Sequence, residues 1–181
     1  MDIAAAIMLL AALAVAVITD LRSQRIPNWL TFPLMLLGLV THTVMGGWDG
    51  LLFSSAGFGL GLGVMLIPFL LGMMGAGDVK LMAGVGAWLG ANTAFAAFLF
   101  TCLAGGLYAL VVLFRHMDHL KAVLANFRAS VLILLSSHRF EYVPVETERT
   151  LPRLCYGVAI AVGTVVSMGL AFHRTGLFYA P

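Results

Sequence analysis

Val79-Lys80-Leu81-Met82-Ala83-Gly84-Val85-Gly86-Ala87-Trp88-Leu89, followed by Gly90-Ala91-Asn92 and a further apolar run to Phe114, decides how often this chain crosses a bilayer. A single helix from Val79 to Phe114 would be too long for one crossing, and Gly90-Ala91-Asn92 interrupts the pattern. The first piece is therefore read as a short helix of its own. At 1.5 Å per residue it rises roughly 16 Å, so it reaches only part way across unless its ends extend.

Working outward, five longer apolar stretches fit a crossing of about 20 residues: Ile3 to Thr19, Trp29 to Met45, Leu51 to Met74, Asn92 to Phe114 and Leu154 to Phe172. Together with the short piece they predict an all-α, polytopic membrane protein of about six helices, a single membrane domain over residues 1–181. The composition agrees, with 61% hydrophobic residues, 10% charged residues and a mean hydropathy of +1.02. Soluble domains carry a charged fraction near a quarter, so the lipid bilayer is the expected partner. A net charge of +2 with scattered Lys and Arg gives no nucleic-acid surface.

Ala14-Val15-Ala16 resembles a signal-peptide cleavage site, but no basic residue precedes it, Asp2 has the wrong sign, and the apolar run continues to Ile18. Residues 1–19 are read as an uncleaved first span. Gly57 with Gly61, Gly59 with Gly63, and Gly86 with Gly90 have the spacing that lets helix backbones approach. Pro68 is expected to kink the third helix, and Pro33 is tolerable near the start of the second. Cys102 and Cys155 lie in apolar stretches without metal-ligand spacing and are read as buried packing residues.

Six spans place Arg22, Arg25, Lys80, Arg115, Lys121, Arg128, Arg139, Arg149 and Arg153 on one side, leaving only Arg174 of the ten basic residues opposite. The positive-inside rule then puts both termini outside and the first, third and fifth connections in the cytoplasm. The long connection, residues 116–150, carries Leu120, Val123, Leu124, Phe127, Val131, Leu134 and Leu135 at helical spacing. This predicts an amphipathic helix lying in the headgroup layer or against a partner. His116, His119 and His138 in the same connection have no further ligand at convincing spacing, so no metal or other cofactor is expected. His42 and His173 fall near the outer ends of helices, an ordinary place for an amphipathic ring.

Two acids stand apart. Asp20 ends an apolar helix, against the negative end of the macrodipole, and its bland reading is a solvated carboxylate paired with Arg22 or Arg25. Asp78 follows Gly75-Ala76-Gly77 and could be no more than an N-cap. Two glycines ahead of it nevertheless exceed what a cap needs and would admit an extended backbone to the carboxylate. The predicted topology puts both at one depth on one side, whereas Asp2 and Asp49 belong to the outer face and Asp118, Glu141, Glu146 and Glu148 to the polar connection. Two close carboxylates share a proton, so one serves as general acid and the other as general base, which is the division that amide hydrolysis requires. The chain has no G-x-S-x-G, H-E-x-x-H or P-loop. The competing class is a transporter, channel or assembly subunit using the same acids for an ion or a partner. It is disfavoured because such sites usually sit near the midplane.

At these residues the chain resembles the type IV prepilin peptidase family of membrane aspartyl proteases. Asp20 with Arg25-Ile26-Pro27-Asn28 looks like its first motif, and Gly75-Ala76-Gly77-Asp78-Val79-Lys80-Leu81 looks like its G-x-G-D motif. Tyr156-Gly157-Val158-Ala159-Ile160-Ala161 and Gly163 are similar to its closing helix. The resemblance implies an inner-membrane enzyme with catalytic Asp20 and Asp78 that cleaves a prepilin leader after a glycine, at the cytoplasmic face. Other pilus-assembly proteins would be further partners. Gly75, Gly77, Lys80 and Asn28 are the candidate site-shaping residues. Asn28 also reads as punctuation before a helix and Lys80 as a headgroup anchor. Larger members carry a tetracysteine domain and methylate the new N-terminus. Here the matching connection has eight residues and no such cysteines, so the compact form looks like the branch serving Flp or Tad pili, with an archaeal-type preflagellin peptidase the less favoured relation.

Overall fold

The computed structural model describes residues 3–115 and 155–179. It contains helices α1 (Ile3–Ser23), α2 (Asn28–Leu70), α3 (Ala76–Arg115) and α4 (Tyr156–Thr175), and no strand among the described residues. All four are long and apolar enough to cross a membrane. Two compact units divide the chain, one formed by Met1–Gly105 with Cys155–Pro181 and the other by Gly106–Leu154. The candidate site described below belongs to the first. The amphipathic segment expected in residues 116–150, with His116, His119 and His138, lies outside the described residues.

Helices α2 and α3 each contain one break. Gly47 stands at φ 57°, ψ −133° and Gly90 at φ 73°, ψ 173°, conformations that interrupt the helical hydrogen-bond ladder and that glycine reaches without a Cβ penalty. The separate short helix expected to end at Leu89 therefore ends where the sequence pattern placed it. It begins earlier than Val79, at Ala76. Dihedrals stay helical through Pro68, and the helix stops two residues later at Leu70.

Small residues set the packing. A Cβ at Gly57 would meet the Gly86 carbonyl oxygen at 2.0 Å, and a Cβ at Gly86 would meet the Gly57 oxygen equally closely at 2.0 Å. The second arm of α2 and the first arm of α3 thus touch backbone to backbone. Gly61 opposite Met82 extends the same seam. Gly59 and Gly63, two residues along, have nothing within 4 Å. They face outward, so only one of the two expected α2 glycine pairs is used for packing. Ser54 Oγ donates to the Ala87 carbonyl at 2.7 Å across this seam, giving a buried hydroxyl its partner.

Trp88 closes the other side of the same segment. Its ring is 1% exposed, and Nε1 donates to the Leu34 carbonyl at 2.9 Å, fastening the first arm of α2 to α3. Replacing Trp88 by Phe removes that donor and part of the buried ring, and should destabilise the protein by about 1–3 kcal/mol, read as a lower thermal midpoint in detergent. Around this centre Leu9, Leu13, Leu81, Met82, Val85 and Ile160 form the fully enclosed core. Ile3, Ile7, Leu36, Val44, Leu52, Ile67, Leu103 and Leu107 point outward, as side chains do when lipid is the solvent. Cys102 is one of these exposed positions, contrary to its reading as a packing residue, whereas Cys155 is buried.

Candidate active site

The end of α1 and the start of α3 converge. Asp20 lies in the last turn of α1 and Asp78 in the first turn of α3, and both are buried, at 6% and 9% exposure. They line one cavity of about 210 Å³, walled by Gln24, Arg25 and Ile26 on one side and Gly75, Ala76 and Gly77 on the other. Within it the two carboxylates are near enough to act on each other electrostatically.

Three local features bring them there. After α1 the chain turns through Gln24 at φ 52°, the left-handed region, with the Gln24 amide donating to the Asp20 carbonyl at 2.8 Å. A non-glycine residue there costs roughly 1–2 kcal/mol, and such strain clusters at working sites. Next, Gly77 packs on Ile26: a Cβ at Gly77 would meet Ile26 Cβ at 3.0 Å and its carbonyl oxygen at 3.1 Å. The open face of this glycine is thus occupied by the chain's own first motif. Gly75, by contrast, is exposed and lines the cavity. Finally, Asp78 is not the N-cap of α3. It sits in the first turn and reaches back, accepting a hydrogen bond from the Gly75 amide through Oδ2 at 3.0 Å, while its own amide donates to the Gly75 carbonyl at 3.1 Å. This is one half of a capping box, the carboxylate at the third helical position accepting the N-cap amide at the favourable end of the helix dipole.

Asp20 departs further from its bland reading. Instead of a solvated carboxylate beside Arg22 or Arg25, both of which are exposed, it is enclosed and accepts the Gly157 amide through Oδ2 at 2.8 Å. Cys155 stands next to it and donates weakly from Sγ to the Asp20 carbonyl, at 3.8 Å. Each acid therefore has one carboxylate oxygen engaged by an amide.

Lys80 and Asn28 pair with each other. Lys80 Nζ donates to Asn28 Oδ1 at 2.9 Å and lies 4.8 Å from the centroid of the Phe32 ring. Neither lines the cavity. They tie the start of α2 to the start of α3. Among the described residues no three His, Cys, Asp or Glu side chains gather as a metal site would require. Gln24 and Gly157 are the site residues that sequence reasoning did not single out. A glutamine gives no hint of a left-handed turn, and Gly157 lies far along the chain from both acids.

Fold and site define a helical membrane protein with a pair of buried carboxylates at one end of its helices. The chain belongs to the type IV leader peptidase family, whose profile matches residues 7–110. It is similar to the prepilin leader peptidase/N-methyltransferase of Escherichia coli (strain K12), 39% identical over 101 residues that cover 52% of this chain and 44% of that protein. The protein of the same name from Bacillus subtilis (strain 168) is 33% identical over 106 residues, 57% of this chain and 42% of the relative. That from Xanthomonas campestris pv. campestris is 37% identical over 101 residues, 52% and 35% of the two chains. The chain thus spans less than half the length of the curated relatives it matches. No solved structure matches it.

Proposed function

We propose that this protein is a membrane aspartyl endopeptidase that removes the leader peptide of type IV prepilins, of the Flp or Tad kind. The cut falls after a glycine at the cytoplasmic face of the inner membrane. The observation that carries this reading is the enclosure of Asp20 and Asp78 in one cavity at the end of the helices. One carboxylate, ionised, takes a proton from water, and the resulting hydroxide attacks the scissile carbonyl carbon. The other, protonated, gives its proton toward the departing amide nitrogen as the C–N bond breaks. Burial protects this asymmetry, because close carboxylates in a site screened from water do not both ionise.

Membership of the family and the relatives' printed names support the substrate class. The N-methyltransferase half of those names is not carried to this chain, because its short first connection holds no cysteine and the chain has only two cysteines in all. Gly47 and Gly90 divide α2 and α3 into arms, which supports six crossings with both termini outside and the two acids inside. The cavity opens at helix ends, where a peptide bond preceding an apolar helix would arrive, and not at mid-helix, where an ion site would be expected. Gly75, at the cavity wall, leaves room for an extended backbone, and the Lys80–Asn28 pair keeps the two motifs in register.

The test is incubation of the purified protein with a candidate prepilin, followed by mass measurement of both fragments. A single cut directly after the glycine that precedes the apolar helix is expected, and replacing that glycine in the substrate should block it. An intact substrate, or cuts scattered along the leader, would reject the reading.

A further inference from the structure

We propose that the closing helix α4 holds the first carboxylate in place, with Gly157 as a positioning residue for Asp20. Helix α4 begins without a cap of its own: Cys155 occupies the N-cap position and makes no side-chain hydrogen bond to the helix. Gly157 is the second residue of the helix, and its amide is one of the orphan donors that a capping side chain ordinarily satisfies. Asp20 satisfies it from a different helix, with Oδ2 at 2.8 Å.

The arrangement works in both directions. For α4, a carboxylate at the positive end replaces the missing cap. For Asp20, which sits at the unfavourable C-terminal end of α1, the N-terminus of α4 supplies a compensating partial positive charge and a fixed donor. With Oδ2 held, rotation of the side chain is restricted and the other oxygen keeps a constant direction. Cys155 Sγ, against the Asp20 carbonyl at 3.8 Å, fastens the backbone of the same residue to the same turn.

The contact requires a residue without a side chain at position 157. A Cβ there would meet Asp20 Oδ2 at 2.9 Å, Asp20 Cβ at 3.1 Å and Asp20 Cγ at 3.2 Å. Alanine would therefore displace the carboxylate by a few tenths of an ångström or swing it off the amide. At the outward-facing Gly169 of the same helix a Cβ meets nothing within 4 Å, so that glycine carries no such constraint. Residue 157 lies beyond the family-matched stretch of residues 7–110, so the contribution adds to the two aspartate motifs and is not contained in them.

The geometric part stands on contacts alone, and the kinetic consequence rests on the peptidase reading. Both are tested in full-length protein, the first with Cys102 and Cys155 replaced by Ser and the second with both native cysteines kept. First, Asp20→Cys with Gly157→Cys should close a disulfide under mild oxidation, detected as a linked peptide by mass spectrometry, because the two Cβ positions, 3.1 Å apart, need part by only a few tenths of an ångström to reach bridging distance. No linkage would overturn the placement. Second, Gly157→Ala should lower kcat on prepilin by about 100-fold with KM changed less than about threefold, because a misplaced reacting group slows the chemical step more than binding. Gly169→Ala should match the parent. Should Gly157→Ala fold poorly, glycolic acid incorporated at position 157 by codon suppression removes only the N–H and adds no Cβ. It should lower kcat about tenfold or more, the worth of a hydrogen bond to a charged group. Parent-like kcat in either variant would overturn the positioning role. A parent protein that fails to cleave prepilin while the disulfide forms would reject the peptidase reading and leave the α4 placement standing.

Discussion

Asp20→Asn and Asp78→Asn, made separately, should each lower prepilin cleavage by about 1,000-fold or more while leaving membrane insertion and yield unchanged. The size follows from the roles: positioned acid–base groups contribute about 100-fold to 10,000-fold each, and removing either member of a pair that shares one proton disables both. The fold should survive because asparagine has the shape of aspartate and its carbonyl oxygen can still accept the Gly157 or Gly75 amide. Fragment masses over a time course give the rates. In the parent protein the rate should fall at both ends of the pH range, since the working state has one carboxylate ionised and one protonated. Processing that persists in both single variants would remove the carboxylates from the mechanism.

The largest effect on stability is expected at the glycine seam. Gly57→Val or Gly86→Val places carbon where the facing helix already has its backbone, 2.0 Å from a carbonyl oxygen in each case. A side-chain neighbour could rotate away, but a backbone carbonyl can only be relieved by separating α2 from α3. That would also strain the Ser54 to Ala87 bond and the Trp88 to Leu34 bond on either side. Such overpacking should cost more than about 3 kcal/mol and leave little folded protein. Gly59→Val and Gly63→Val, on the open side of the same helix, should behave like the parent. Thermal midpoints of the four variants in detergent provide the comparison. Equal midpoints across all four would mean that the seam does not set the packing.

Much of this was legible in the residues, for identifiable physical reasons. A bilayer requires long uninterrupted apolar helices, so their places could be read from hydropathy, and Gly90 marked a break because little else in that stretch can leave the helix. Asp20 and Asp78 were legible because a carboxylate in an apolar chain is costly to keep. Distance-dependent detail was hidden. Nothing in spacing distinguishes Gly57, which touches Gly86, from Gly59, which touches nothing, because the rotation of a helix about its axis is set by all its neighbours together. The capping geometry of Asp78 differs from the expectation because α3 starts at Ala76, three residues earlier than the hydropathy pattern suggested. Gly157 could not be matched to Asp20 at all, since the sequence does not record which helix end meets which.

The central claim is that two acids far apart in the chain share one cavity on one side of the membrane, and a paired-cysteine measurement tests it most directly. With Cys102 and Cys155 replaced by Ser, Asp20→Cys and Asp78→Cys are introduced together. The double variant in native membranes is treated with a short bifunctional thiol reagent, and each single variant with a membrane-impermeant one added from either side. Positions 20 and 78 should be joined, and both should react from the cytoplasmic side alone. Failure to join them, with labelling from opposite sides, would contradict the claim.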